Sequence, residues 1–209
     1  MIELSNLYMF IIASFLLCLA PGPDNIYVLT QGMTKSKKAA IVTTFGLCTG
    51  LIIHTSAAAF GISLIFKTSE LAFNIVKYAG AAYLLYIAYQ AFKYRNEKLD
   101  LSMQNSNIEL KKLYIKGFFM NVLNPKVSIF FLAFLPQFVS SQNGNVPLQM
   151  IILGLIFMAL TIIVFSIIGI AGNILSSRLT KNPNIVKYMN ILTSFVLASL
   201  AIKLAVSSR

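Results

Sequence analysis

The chain has 209 residues, of which 57% are hydrophobic and 11% charged, and it carries a net charge of +11. Soluble domains contain about 25% charged residues, so this composition and a mean hydropathy of +0.78 exclude an ordinary water-soluble domain. The lysines and arginines stand at the ends of apolar runs and form no basic face. The positive charge therefore indicates membrane topology, with the bilayer as partner, and no nucleic acid.

Six apolar stretches follow one another along the chain. A bilayer leaves backbone groups no partner outside the chain, so we expect each stretch to be a membrane-spanning helix of about 20 residues or more. The first has an acidic flank and no cleavage motif, and we interpret it as a retained span instead of a signal peptide. The stretches lie at about 6–31, 39–66, 70–92, 113–139, 147–173 and 185–206.

Basic residues alternate between the loops that join these spans. They concentrate in loops 1–2, 3–4 and 5–6, whereas loop 2–3 has few and loop 4–5 has none. Because cytoplasmic loops collect lysine and arginine, we predict that loops 1–2, 3–4 and 5–6 face the cytoplasm. Both termini then lie outside.

The longest loop divides one membrane domain, 1–209, into two halves of three spans. We predict a first repeat at 1–98, a cytoplasmic linker at 99–112 and a second repeat at 113–209. An odd number of spans in each half gives the halves opposite orientations, and the first span of each is broken by proline. Gly/Pro interruptions at corresponding places in inverted halves point to the binding site of a transporter.

Each break exposes groups that recognise charge. Pro21 and Pro125 cannot donate a backbone hydrogen bond, so they free the carbonyls of Leu17 and Asn121. Beyond each break, a new half-helix presents unpaired N–H groups and a partial positive charge. Freed carbonyls suit an ammonium group and the helix N-termini suit a carboxylate. The two breaks together therefore suit a zwitterion.

Asp24 and Lys126 follow Pro23 and Pro125 directly and occupy equivalent places in the two halves. A charge at the centre of an inserting helix costs about 2.5–3.5 kcal/mol, which indicates that neither is idle. We expect the two side chains to approach each other, with Asp24 receiving a substrate ammonium or a proton and Lys126 a carboxylate. The alternative is a permanent salt bridge that locks the halves together.

His54 is the single histidine and lies within the second span. One helical face carries Gly46, Gly50, His54, Ala57 or Ala58, and Gly61. The pattern Gly46-x-x-x-Gly50 is typical of closely packed membrane helices. We therefore expect His54 to face another helix. It either relays a proton or makes an interhelical hydrogen bond.

These considerations define the expected site. Asp24 and His54 are the candidates for proton coupling. The chain has no phosphate-binding loop and no clustered metal ligands, so we expect no metal or other cofactor and a secondary mode of transport. The glycine face leaves a homo-oligomer open. Substrate binding is expected at Pro21, Gly22, Pro23, Asp24, Asn25, Asn121, Asn124, Pro125 and Lys126.

The chain resembles the LysE/RhtB family of bacterial amino-acid exporters over essentially its whole length. The resemblance rests on the sequences at 20–24 (APGPD), 77–84 (KYAGAAYL) and 117–126 (GFFMNVLNPK). It implies a multi-pass inner-membrane protein that exports a small amino acid of the homoserine, threonine, leucine or lysine type. It also implies a secondary mechanism, for which we expect alternating access and proton antiport.

Two other functions compete with export. The wider superfamily is similar to the CcdA/DsbD thiol–disulfide carriers, which place cysteine beside proline in spans 1 and 4. Cys18 fits half of that pattern, but span 4 has no cysteine and Cys48 lies in span 2. The other function is that of a divalent-cation exporter, for which Asp24 and His54 form a sparse ligand set.

Overall fold

The structure is a computed structural model that describes residues 2–20, 22–62, 70–95, 109–179 and 183–206. Helices account for 91% of the described residues, and none of these residues forms a strand. The prediction of an all-α protein is confirmed. Most of the predicted linker 99–112 lies outside the described residues, and the division into repeats remains a prediction.

Each of the six predicted stretches is mainly helical in its described part. The second stretch continues through a π-helical turn at Ala57–Ile62, and the fourth through a π-helical turn at Phe130–Phe134 and a 3₁₀ turn at Leu135–Phe138. A further 3₁₀ turn lies at Ser141–Asn143. The α-helices are α1 Leu4–Leu19, α2 Pro23–Thr34, α3 Lys37–Ser56, α4 Glu70–Lys93, α5 Leu110–Val122, α6 Pro125–Ile129, α7 Val146–Leu179 and α8 Pro183–Val206.

Two of the stretches are broken where proline predicted it. The axes of α1 and α2 differ by 55°, and those of α5 and the segment that begins at Pro125 differ by 48°. Gly22 is extended before α2, and Pro23 occupies the first turn of that helix. Backbone N–H groups in a first turn have no helical acceptor, so a proline there costs no hydrogen bond. Asn124 caps α6, because its side chain accepts a hydrogen bond from the backbone N–H of Lys126.

The number of membrane crossings is supported in part. Within the described residues, two helical segments, Lys37–Gly61 and Val146–Ile174, are each long and apolar enough to cross a bilayer, and each bent pair adds one more. Helices α4 and α8 have 24 residues each, which gives a length of about 36 Å, but they are not among these candidate spans. The described residues therefore contain two candidate spans, or up to four if each bent pair crosses as one span, and six crossings in two inverted repeats remain a prediction.

The helices pack in pairs that cross between the predicted halves. Helix α3 packs against α5, α2 against α7, α4 against α8, and α3 also against α7. Exchanging the first, second and third stretches with the fourth, fifth and sixth turns the α3–α5 contact into the α2–α7 contact. The same exchange leaves the other two contacts unchanged. A two-fold axis between inverted halves requires such a pattern.

Aromatic side chains fill the centre of this bundle. Phe130 is fully buried, with its ring centroid 5.1 Å from those of Phe134 and Phe157 and 6.0 Å from that of Phe10. Large apolar side chains also lie on the outer surface, where Phe195 is 72% exposed. An apolar exterior of this kind is unfavourable in water and suits lipid.

Glycines set the separation of α3 and α5. A Cβ atom on Gly46 would lie 2.2 Å from the Tyr114 carbonyl oxygen, and one on Gly50 would lie 2.9 Å from Asn121 Cβ. The predicted close packing of this glycine pair is confirmed. The prediction that Gly61 shares the face is wrong, because a Cβ there would meet nothing within 4 Å. The π-helical turn that contains Gly61 has more residues per turn than an α-helix, and this shifts its side chains out of the α-helical register.

Candidate functional site

The two helix breaks meet in the middle of the bundle and exchange contacts. Asn121, at the second break, donates a hydrogen bond of 2.8 Å from its Nδ2 to Asp24 Oδ2, at the first break. Lys126, beyond the second break, donates from Nζ to the carbonyls of Leu17 and Ala20, before the first. Each break thus supplies a side chain that binds the other. The predicted proximity of Asp24 and Lys126 is observed.

Asp24 is buried, with 3% of its surface exposed, at the N-terminal end of α2. Its Oδ2 receives the bond from Asn121, while Oδ1 has no hydrogen-bond partner. The Asn124 side chain also approaches the carboxylate, and Lys126 and His54 lie within electrostatic range. A buried oxygen with no partner costs about 1–3 kcal/mol. Asp24 therefore retains a free acceptor position facing the site.

Lys126 is buried to a similar degree, with 6% of its surface exposed. Its Nζ lies 3.0 Å from the Leu17 carbonyl oxygen and 2.7 Å from that of Ala20. Leu17 stands four residues before Pro21, so its carbonyl is the one that proline was predicted to free. Among the described side chains, the ion pair within 4.0 Å is Lys112–Glu109 at the surface. The alternative of a direct Asp24–Lys126 salt bridge is therefore wrong for this conformation.

Asparagines complete both breaks. Asn25 donates from Nδ2 to the carbonyl oxygens of Cys18, at 2.7 Å, and Ala20, at 2.9 Å. Asn124 accepts from the backbone N–H of Lys126 at 3.0 Å and so fixes the start of α6. In these contacts, both asparagines hold the backbone at the breaks. Asn124 also lies beside the Asp24 carboxylate, and its contact with substrate remains a prediction.

His54 contacts the Asn121 carbonyl, which Pro125 leaves without its helical donor and which also accepts from the backbone N–H of Asn124 at 2.9 Å. Its Nε2 lies 3.0 Å from the Asn121 carbonyl oxygen. A carbonyl only accepts, so Nε2 carries the proton. The predicted interhelical hydrogen bond is observed, and it fixes the residue that holds Asp24. This bond engages Nε2–H, and proton coupling through His54 stays a prediction.

A small cavity lies between these groups. It leaves about 20 Å³ for the centre of a water-sized sphere, which is room for about one water molecule. An amino acid does not fit without movement of the walls. The cavity is lined by Leu17, Cys18, Gly22, Asp24, Asn25, Leu51, Asn121, Asn124, Lys126, Val127, Phe157, Thr161 and Phe165.

The structure thus places most of the predicted site residues in one cavity. Pro23 and Pro125 shape the breaks without lining it, and Pro21 lies outside the described residues. His54 stands one residue away, behind Asn121. The expected binding residues on the cavity wall are Gly22, Asp24, Asn25, Asn121, Asn124 and Lys126.

Sequence reasoning missed the contribution of the fifth stretch. Thr161 of α7 lines the cavity and lies 3.4 Å from Cys18 Sγ. Its hydroxyl proton is donated to the Phe157 carbonyl, so the Cys18 thiol is the donor to Thr161. A hydroxyl in a long apolar run was the signal that sequence reasoning left unused. Gln31 was missed as well: it is fully buried, and both polar atoms of its amide lack a partner.

The described structure offers little support for a thiol–disulfide carrier or a divalent-cation exporter. Cys18 and Cys48 are both free, buried thiols, and Cys18 is engaged with Thr161. Across the described ranges, no three His, Cys, Asp or Glu side chains are close enough to hold a metal ion.

The fold and the site together define a helical membrane protein with a charged cavity between two broken helices. The sequence profile described as "LysE type translocator" matches residues 15–208. The chain therefore belongs to the LysE type translocator family, whose members are transporters and not enzymes. The resemblance found in the three sequence motifs is confirmed.

Individual relatives cover most of the chain. It is 31% identical over 186 residues to the homoserine/homoserine lactone efflux protein of Salmonella typhimurium, covering 88% of this chain and 87% of that protein. It is 29% identical over 210 residues to the uncharacterized membrane protein YrhP of Bacillus subtilis, covering 97% and 99%. A membrane protein of Vibrio cholerae is 27% identical over 184 residues, covering 87% of each. No solved structure matches the chain.

Proposed function

We propose that the protein exports a small amino acid or a close derivative from the cytoplasm by secondary transport with alternating access. The observation that carries this proposal is the reciprocal contact of the two breaks. An acid with one unpaired oxygen, Asp24, and a buried ammonium, Lys126, line the same cavity. Groups of opposite charge across a small space suit a zwitterion, whose ammonium and carboxylate each find a partner there.

The Salmonella relative supports the same class of substrate and adds detail. Its name states efflux of homoserine and of homoserine lactone. Both compounds carry a primary amine, but the lactone has an ester where homoserine has a carboxylate. If this chain handles related compounds, its essential recognition is of the ammonium group. The Asp24 carboxylate and the freed carbonyls beside it are the acceptors suited to that group.

The size of the cavity supports alternating access. Room for about one water molecule separates the two breaks, so substrate enters only when the walls move. The structure is then a closed state between openings to the two sides. Both breaks lie next to the cavity, so changes in the bends of 55° and 48° are the motions best placed to open it.

The coupling ion in this proposal is a proton that enters as substrate leaves. Asp24 is the first candidate to carry it, because its carboxylate is buried in the cavity and has an unpaired oxygen. His54 is the second, through its contact with Asn121. The protein is proposed to lie in the bacterial inner membrane with loops 1–2, 3–4 and 5–6 in the cytoplasm. A homo-oligomer remains compatible with this proposal.

An export panel tests the function. The chain is expressed in a bacterial host that lacks its own amino-acid exporters, the cells are loaded with dipeptides, and every amino acid that appears outside is quantified. We expect selective excretion of one or a few amino acids. Asp24→Asn keeps the shape of the side chain and removes its charge, so it should reduce that excretion at least tenfold while the protein still inserts.

Glu109→Gln is the matched control, because Glu109 is an exposed acid outside the site that pairs with Lys112. It should export like the wild type. Full activity of Asp24→Asn would remove Asp24 from the mechanism. No excretion by a well-inserted wild-type protein would contradict amino-acid export itself.

A further inference from the structure

Lys126 occupies an unusual position for a buried cation. Two of its three ammonium protons are donated to the carbonyls of Leu17 and Ala20, at 3.0 and 2.7 Å. These carbonyls belong to the chain ahead of the first break, and the side chain reaches them from the second break. No carboxylate among the described residues lies within 4.0 Å of its nitrogen. Within the described part of the chain, the acceptors of this ammonium are the two backbone oxygens.

The carbonyl pair is a ready-made receptor for a primary ammonium group. The ammonium of an amino acid has the same charge and the same three donors as that of lysine. Asp24, whose Oδ1 has no partner, and Leu17, whose carbonyl accepts from Lys126, both line the cavity. An ammonium bound there would therefore donate hydrogen bonds to two carbonyl oxygens and would lie near a carboxylate.

We propose that Lys126 is a tethered stand-in for the substrate: in the closed, empty protein its ammonium fills the subsite that takes the ammonium group of the transported molecule. This inference rests on the proposed function and specifies its substrate as a compound with a free primary amine. Incoming substrate displaces Lys126 from Leu17 and Ala20. The released lysine remains beside the site and is then available to a carboxylate, where the substrate has one.

The arrangement also explains why an empty protein stays closed. While Lys126 bridges from the second break to the first, the two broken helices are held together. An ammonium that is not tethered satisfies the same carbonyls without joining the breaks, so substrate releases the bridge. Carboxylic acids without an amine and N-acylated amino acids lack the displacing group and should not release it.

The test uses methylammonium as the probe and the full-length protein purified in detergent. Lys126→Ala empties the subsite and lowers the unfolding midpoint, because two buried carbonyls lose their donor. Methylammonium should restore the midpoint of this variant by about 3–5 °C at ten times its Kd. It should leave the wild type unchanged, because the tethered ammonium fills the subsite. Tetramethylammonium, which has the charge but no N–H, should have no effect on either protein.

Matched variants separate the subsite from general effects. Lys77→Ala removes another buried lysine, in α4. Methylammonium should not restore the unfolding midpoint of this variant. If Lys126→Ala does not fold, Lys126→Leu keeps apolar packing, offers the carbonyls no donor, and is measured in the same way. A methylammonium shift that is equal in the wild type, Lys77→Ala and the Lys126 variant would overturn the proposal, and so would no shift in a folded Lys126 variant.

A native thiol shows where the probe binds. Cys18 lines the cavity, and Cys48→Ala leaves it as the single cysteine of the chain. In a Cys48→Ala/Lys126→Ala protein, methylammonium should slow alkylation of Cys18 by a small maleimide several-fold, and an unchanged rate would overturn the location. Restoration without any amino-acid export by the wild type would refute the proposed function and leave the ammonium subsite standing. Export by the wild type without restoration of the Lys126→Ala midpoint would refute the ammonium subsite and leave the proposed function standing.

Discussion

A close backbone contact between two helices, α3 and α5, offers a sharp test of the fold. A Cβ on Gly46 would lie 2.2 Å from the carbonyl oxygen of Tyr114, 2.9 Å from its carbonyl carbon and 3.0 Å from its Cα. The first distance is about 1 Å shorter than a close C···O contact. Because all three atoms belong to the backbone, none can rotate away. Gly46→Ala therefore forces α3 and α5 apart.

The expected loss of unfolding free energy in Gly46→Ala is the difference between two opposing effects. Overpacking of this kind costs about 1–3 kcal/mol, and rigid backbone places Gly46→Ala near the upper end. Replacing glycine by alanine in a helix returns about 1 kcal/mol. The net loss is about 2 kcal/mol, which corresponds to a fall of about 4–8 °C in the unfolding midpoint for a chain of this length. Lipid supplies no hydrophobic attraction between helices, so lost packing is not replaced.

Gly61→Ala is the matched control for this measurement, because a Cβ on Gly61 meets no atom within 4 Å. Thermal unfolding of the two purified variants in detergent should give a lowered midpoint for Gly46→Ala and an unchanged or slightly raised one for Gly61→Ala. Export should also fall in the first variant, since Asn121 lies two turns beyond Tyr114 on the helix that moves. Equal midpoints for the two variants would refute the packing of α3 against α5.

Two further predictions concern the site and the topology. Asn121→Leu removes the hydrogen-bond donor to Asp24. Hydrogen bonds to charged groups contribute about 1.5–3 kcal/mol, so the export rate should fall at least tenfold. A rate within twofold of the wild type would show that Asp24 does not depend on Asn121. Alkaline phosphatase, which is active only outside the cytoplasm, should be active when fused after Asn143 and inactive when fused after Lys35; the opposite pattern would invert the predicted orientation.

The positions of the breaks follow from local chemistry, and the sequence was sufficient to predict them. Proline lacks an N–H wherever it stands, so Pro125 frees the Asn121 carbonyl in any packing of the chain. Apolar runs and their basic flanks likewise act through the bilayer and not through particular neighbours. For the same reason, the Gly46-x-x-x-Gly50 pattern correctly indicated a helix contact: small residues permit close approach whichever helix arrives.

The partners of these groups were decided by the tertiary structure. The charges of Asp24 and Lys126 suggested a pair, but Lys126 instead reaches the carbonyls of Leu17 and Ala20 while Asn121 binds Asp24. A charge in a sequence does not specify which of several acceptors lies nearest, because that depends on how the two broken helices cross.

The residues that line the cavity could not be predicted from the sequence either. Thr161 joins the site because α7 packs against α1, α2 and α3, and no local pattern records contacts between residues more than a hundred positions apart. Gly61 left its expected face because a π-helical turn changed the register. Local chemistry thus determined where the chain breaks and what the exposed groups can bind. Long-range packing decided which groups meet and how small a cavity they leave.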